Sequence, residues 1–399
     1  MRPYVHLAGW QKIAWALDED LRWARTALEG RAHFVSLPRA RVVLAAWWPA
    51  LEALGPAALR GKMVVCFADN PPAFYLTRPG FARVAGRVDL WIARSSEAKH
   101  QFEALGLPVV RVPYVVDPAI FRPLPERAAI RRELGLKDDA FVIGNFHRDS
   151  EGSDLLRPKV QKGADVFLAI TRDLHDRVPQ TTVLLAGPRR HYLLSRLEAA
   201  GIPVCFVGQR PGVGDDYARN ILDRPTLNRL YQALDVCVIS SRWEGGPYSV
   251  LEAVLAGRPV ISTPVGMARD VLPGSCLFET PEQAVNLLER QADEGSLELP
   301  DRAAVQARFS LEALRKALEP VAREFPREAV PLLESLVCAA NRIRARLKPP
   351  AWNALPQTVV QVQTAMRSAP AESCFYRAQE PDRAALAAAA RGIQTALER

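Results

Sequence analysis

The chain has 399 residues, 49% of them hydrophobic and 24% charged, with 52 Lys and Arg against 44 Asp and Glu. That length suits two domains, the apolar content excludes a disordered chain, and no apolar run approaches the length of a transmembrane helix. The net charge of +8 leaves three partners open: a nucleic acid, an anionic membrane surface or an anionic substrate.

The charge is unevenly spread. Residues 1–138 hold 20 basic and 13 acidic side chains, residues 139–329 hold 23 and 26, and residues 330–399 hold 9 and 5. The excess therefore lies in the first third and the tail. The six cysteines (66, 205, 237, 276, 338, 374) form no CxxC pair, which predicts reduced thiols. The opening residues carry no signal-peptide core, so the expected location is cytoplasmic.

Short apolar runs alternate with longer amphipathic stretches. Strands are predicted at Tyr4–Ala8, His33–Leu37, Val42–Ala46, Met63–Phe67, Leu90–Ala93 and Val109–Val112. Helices are predicted between them, at Trp10–Leu28 and Ser96–Leu105. A proline-rich stretch follows (Pro113, Pro118, Pro123, Pro125), then a short helix at Arg127–Leu134. Proline fixes φ and disfavours helix before it, so this stretch reads as a linker. A second series follows, with strands at Phe141–Gly144, Thr182–Ala186, Val204–Val207, Val236–Ile239, Pro259–Ser262 and Ser275–Phe278. Its helices are predicted at Ala164–Arg177, Tyr192–Ala200, Thr226–Leu234 and Tyr248–Ala256. Alternating strands and helices imply parallel sheets covered on both faces, here in two Rossmann-like halves. Beyond residue 310 the strand pattern stops. Leu311–Leu347 and Pro381–Leu397 read as helical.

The segment richest in chemistry runs from Ser240 to Ala253. A strand ends, Glu244-Gly245-Gly246-Pro247-Tyr248-Ser249 forms a loop, and a helix begins. Backbone N–H groups at a helix N-terminus attract anions, and glycines let a phosphate approach closely. Glu244 and Glu252 flank the loop, placed to hold hydroxyl groups on either side of a bound phosphate.

This block, with Asp235-Val236 before it and Gly257-x-Pro259-Val260-Ile261 after it, resembles the E-x7-E signature of retaining GT-B glycosyltransferases, the GT4-like family. The resemblance covers residues 60–290 best. It implies an α/β protein with two facing Rossmann-like domains: an N-terminal acceptor domain (1–125), a C-terminal donor domain (126–310) and a helical extension (311–399) that packs on or crosses back to the first domain. It implies a nucleotide-diphosphate sugar as donor, a UDP- or GDP-sugar, with no cofactor and no metal. Glu244 would contact the sugar and Glu252 the ribose. Gly245, Gly246, Pro247, Tyr248 and Ser249 would line the diphosphate, and Gly187 and Gly208 would approach the nucleotide from strand ends. Arg148 and Lys162 match the family's phosphate-binding pair at a stretched spacing. Arg157 and Lys159 stand as substitutes, and Arg189 and Arg190 as weaker candidates.

Two features depart from the pattern. Gly9-Trp10-Gln11-Lys12 has one glycine where the family commonly has two. After the strand Met63–Phe67 the family commonly places a His near the reacting sugar, whereas this chain has Asp69. Asp69 is either an aid to acceptor activation or a turn residue at a strand end.

In the tail, Leu332, Leu333, Leu336, Val337, Ala340, Ile343 and Leu347 fall at helical spacing, followed by Arg342, Arg344, Arg346, Lys348 and Trp352 at its end. Such a helix packs on the domains or meets an anionic membrane at the inner face. The expected acceptor is a glycan or lipid-linked glycan. The alternatives are a sugar-nucleotide epimerase or phosphorylase, a DNA-modifying transferase with nucleic acid as a less favoured partner, and a non-catalytic sugar-nucleotide binder.

Overall fold

A computed structural model of the chain describes residues 2–11, 16–75, 78–150 and 154–322. They divide into two compact units: one holds the residues up to Val115 and those from Leu311, the other Val116–Ser310.

The first unit is built on six strands: β1 (Tyr4–Ala8), β2 (His33–Phe34), β3 (Val42–Ala45), β4 (Met63–Phe67), β5 (Leu90–Ala93) and β6 (Val109–Arg111). They form one parallel sheet in the order β2-β1-β3-β4-β5-β6. The central strands are continuous apolar runs because both faces are covered. On one face Leu21, Ala24 and Leu28 of helix Ala16–Leu28 pack against Val5, Leu44 and Val65. Leu314, Leu318 and Val321 join that cluster, so the chain re-enters this unit after Ser310. On the other face Trp48, Tyr75, Phe81, Trp91 and Phe102 form a second core.

The second unit carries β7 (Phe141–Asn145), β8 (Thr181–Ala186), β9 (Val204–Val207), β10 (Val236–Ile239) and β11 (Val260–Ser262). This sheet is also parallel, in the order β11-β10-β7-β8-β9. The chain runs outward from β7 to β9, then returns to β7's other side with β10. At that reversal the loops after β7 and β10 diverge and leave a crevice at their C-terminal ends, where open α/β sheets bind ligands. Asp235 secures the junction. Its Oδ2 accepts from Val142 N at 2.7 Å and pairs with Arg131 at 3.1 Å, tying β10 to β7 and to helix Arg127–Glu133.

The two parallel-sheet α/β units agree with the expected fold class. Several local expectations need correction. Ser275–Phe278 is not a strand: Gly274–Cys276 is a 3₁₀ turn, and only Leu277 bridges to Ser262. Pro273-Gly274 starts the turn and leaves too few residues for a ladder. The strand predicted at His33–Leu37 ends at Phe34, because Pro38 starts a 3₁₀ turn at Leu37–Arg39. The helices Trp48–Ala58, Pro79–Ala85, Pro281–Glu294 and Arg302–Arg308 were not anticipated. The first is kinked by Gly55-Pro56, which hid its period. The third starts with a Thr280–Gln283 capping box, a signal the sequence does carry. Among the described residues, no helix is long and apolar enough to cross a membrane. The tail helices expected within 323–399, with Arg342, Arg344, Arg346, Lys348 and Trp352, lie outside the described residues, as does Lys12.

Candidate active site

The site is assembled at the reversal between β7 and β10. Asn145 ends β7, and its Nδ2 donates to Val238 O at 3.0 Å, fastening the two strands where their loops part. Its Oδ1 accepts from His147 N at 3.0 Å. That turn directs His147 across the crevice, where Nε2 lies 2.6 Å from Ser249 Oγ. Burial pushes the His147 ring well below the usual histidine range, and the charges of Lys162, Arg190 and Arg148 push it further down. Burial and three nearby cations therefore both favour the neutral ring.

Arg148 and Lys162 are separated by an insert, and the structure closes it. Ser150 and Pro158 form an antiparallel bridge, and Lys159 N donates to Asp149 O at 2.7 Å. Pro158 and Lys159 thus lie beside Asp149 and Ser150, where the chain left the strand end. Arg157 is exposed on that loop, 3.7 Å from Asp154. Lys162 ends a 3₁₀ turn, and Gly163 follows at φ +60° before helix Ala164–Arg177. A Cβ on Gly163 would lie 1.8 Å from Ser240 O, so only glycine lets this helix start touch the end of β10.

After β10, Ser241 Oγ donates to Glu244 Oε1 at 2.9 Å, and Lys162 Nζ pairs with the same oxygen. Arg242 forks onto Asp165 at 2.7 and 2.6 Å, which holds the two loops together bidentately. Gly245, Gly246 and Pro247 are buried, Tyr248 is half-buried, and Ser249 is buried. Helix Tyr248–Leu255 follows with Pro247 as its N-cap and no side-chain cap. Its first N–H groups therefore lack the usual side-chain acceptor, a setting suited to an anion. One turn into the helix, Glu252 is buried and accepts from Tyr231 OH at 3.0 Å. Burial raises its carboxyl above the usual range, against the opposing pull of Arg224 and the Tyr231 bond.

Arg190 lies wholly buried beneath the crevice. Its Nη2 donates to Asn145 O at 2.5 Å, and its Nε lies 3.5 Å from Asp149 Oδ2. Nη1 is buried with no hydrogen-bond partner. Asp149 also accepts from Tyr192 N and Leu193 N at 3.2 and 3.4 Å. Burial nevertheless lifts its carboxyl to about 7. Gly187 and Gly208 follow β8 and β9 at φ +86° and +137°. A Cβ on Gly187 would meet nothing within 4 Å, whereas one on Gly208 would lie 2.6 Å from Asn220 Oδ1.

The structure thus brings together Glu244, Lys162, His147, Ser249 and the Gly-Gly-Pro loop, with Glu252 one turn behind, and Arg148, half-buried, adds its charge beside His147. Asp69 belongs to the other unit, just past β4. There Tyr75 OH donates to Asp69 Oδ1, and Asn70 Nδ2 donates to Oδ2 at 3.1 Å. Burial raises the Asp69 carboxyl to about 6. Sequence reasoning missed Asp149 altogether and ranked Arg190 low. Their pairing spans 41 positions, and nothing local marks it. The Tyr231 bond to Glu252 was missed for the same reason.

Residues 154–291 match the family model described as Glycosyl transferases group 1, and the two parallel-sheet units have the GT-B fold. HepE of Anabaena, crystallised with UDP and glucose, superposes with a TM-score of 0.62 at 15% identity, over 80% of this chain and 99% of that one. Among curated proteins, the lipopolysaccharide core biosynthesis mannosyltransferase LpsB of Rhizobium meliloti (strain 1021) is 26% identical over 230 residues, 55% of this chain and 58% of LpsB. The D-inositol 3-phosphate glycosyltransferase of Segniliparus rotundus is 30% identical over 156 residues, 39% of this chain and 31% of that protein. The chain thus spans under two thirds of each of these curated relatives.

Proposed function

We propose that the chain is a retaining, metal-independent glycosyltransferase of the GT4-like kind, which moves a hexosyl unit from a UDP- or GDP-sugar to a glycan or lipid-linked glycan. The observation that carries this reading is the convergence at one reversal point of Lys162, Arg148 and Arg190 with the Glu244–Ser241 pair and an uncapped helix N-terminus. The cations and N–H groups would hold the donor diphosphate and stabilise its charge as the glycosidic bond breaks. Glu244 would receive the sugar and Glu252 the ribose. Gly187 and Gly208 would pass close to the nucleotide. Asp69 would position the acceptor hydroxyl or take its proton. In a same-face reaction the departing phosphate would also help accept that proton.

The HepE complexes and the LpsB assignment support a nucleotide-sugar donor and a glycan acceptor. The expected setting is the cytoplasm, with a peripheral place at the inner face of the membrane as the alternative. A thermal-shift panel of UDP-, GDP-, ADP- and TDP-sugars tests the donor reading, since a ligand of the native state raises the melting temperature. At least one should raise it in the wild type and fail to do so in Lys162→Ala. A panel with no shift would sink the reading.

A further inference from the structure

The first unit carries its charge on one edge of the sheet. All six strands are parallel, so their starts lie along one edge and their ends along the other. The segments leading into β1–β5 are 2–3, 29–32, 38–41, 59–62 and 86–89. They hold seven basic residues and two acidic ones, Glu29 and Asp89. In sequence, the four residues after each of β1–β5 hold two basic residues, Lys12 and Arg94, and two acidic ones, Asp69 and Glu97. The sheet is therefore basic at its N-terminal edge and near neutral at the opposite one.

The backbone ladder sets these segments side by side. His33 N bonds to Pro3 O, Arg41 N to Tyr4 O, Met63 N to Arg41 O and Asp89 N to Val64 O. Arg2, Arg39, Arg41, Arg60 and Arg87 are all exposed. No ion pair among the described residues engages any of them, whereas Arg83, Lys99 and Arg94 of the same unit pair with Glu52, Glu103 and Asp20. Strands lie about 4.8 Å apart, so five strand starts spread this charge along about 19 Å. Tyr4 stands exposed among them, its ring 5.4 Å from that of His33.

We propose that this N-terminal edge docks the protein on an anionic lipid bilayer. An open row of strand starts meets a plane of headgroups along its length. The described residues of this edge present no helix or paired strands that could enter a nucleic-acid groove. Uncompensated arginines supply the attraction, and the exposed Tyr4 supplies an amphipathic ring suited to the headgroup zone. This surface stands independently of the donor reading.

The test is sedimentation of the full chain with vesicles of phosphatidylcholine alone or with 30% phosphatidylglycerol. The wild type should bind the anionic vesicles only, and binding should weaken with salt as the charges are screened. Each basic residue near such a surface is worth about fivefold in affinity, so Arg39→Ser/Arg41→Ser/Arg60→Ser should lose about a hundredfold. The triple Arg→Lys variant should retain binding, which separates charge from misfolding. The proposal is overturned if the serine variant binds like the wild type, or if substituting Arg342, Arg344, Arg346 and Lys348 abolishes binding while the serine variant keeps it. Tight, salt-sensitive binding of duplex DNA with no vesicle binding would also overturn it. Donor thermal shifts should be equal in all edge variants, so failure here and failure of the donor reading are distinguishable.

Discussion

Lys162 and Glu244 lie 82 positions apart and meet in a partly buried ion pair at the crevice of the second unit. Lys162 comes from the turn before one helix and Glu244 from the loop before another. Ser241 donates to the same carboxylate oxygen. Both partners are proposed to contact the donor, so the pair is intact before binding and must loosen to admit a phosphate and a sugar hydroxyl.

That arrangement predicts a separation between stability and activity. Lys162→Ala should cost about 2–4 kcal/mol, because Glu244 is left buried without its cation. Glu244→Ala should cost less, since Lys162 is the more exposed partner. The double variant should recover part of the loss, with a coupling of about 1–3 kcal/mol in urea unfolding. Transfer should stay below about 1% of the wild type in all three, because the double variant restores packing and not donor contacts.

A second prediction concerns Arg190 and Asp149. Arg190→Met leaves the buried Asp149 carboxylate without its cation and frees Asn145 O, and should cost about 3–5 kcal/mol. Arg190→Met/Asp149→Asn should be less destabilised than Arg190→Met alone. Chemical denaturation of the three variants checks this, and equal losses in the single and double variants would contradict the brace.

The glycines supply a contrast at similar backbone geometry. Gly163→Ala brings a Cβ within 1.8 Å of Ser240 O at φ +60°, with a backbone atom that cannot step aside. It should cost more than about 4 kcal/mol or abolish folding. Gly187→Ala places its Cβ in open space at φ +86° and should cost about 1–2 kcal/mol, the left-handed penalty alone. Thermal melting of the two variants decides between them.

Asp69 gives the pH prediction. Its carboxyl is raised from the usual carboxylate range to about 6, so the folded state holds this proton more tightly than the unfolded chain. Its contribution to stability is full below about pH 4 and is lost as pH rises through about 6. Asp69→Asn should remove that loss, so the melting temperature of the variant relative to wild type should climb from pH 4 to pH 7. If Asp69 must be ionised for transfer, wild-type kcat/KM should fall as pH drops through about 6. Tyr75→Phe removes a bond that lowers this pKa, so it should move the acid limb to higher pH. An unmoved limb would place Asp69 outside the reaction.

Much of the fold was legible because its signals are local. β3, β4, β7, β8 and β10 are short apolar runs bounded by turn residues, and parallel strands buried on both faces must read that way. The Gly-Gly-Pro loop was legible for the same reason, since Glu244, Gly245, Gly246 and Glu252 lie within one short stretch. Helix Trp48–Ala58 was not, because Gly55-Pro56 breaks its period, and Ser275–Phe278 looked like a strand only until its neighbours were known.

The sequence by itself determined which residues carry charge, which runs are buried, and where a loop meets a helix N-terminus. It could not decide how far Arg148 stands from Lys162, because their 14-residue separation says nothing about the bridge from Ser150 to Pro158 that closes the insert. It could not show that Arg190 and Asp149 pair beneath the crevice, or that the arginines before five strands share one edge. Those facts depend on strand order, and strand order is set by packing between residues far apart in the chain, which no local pattern encodes.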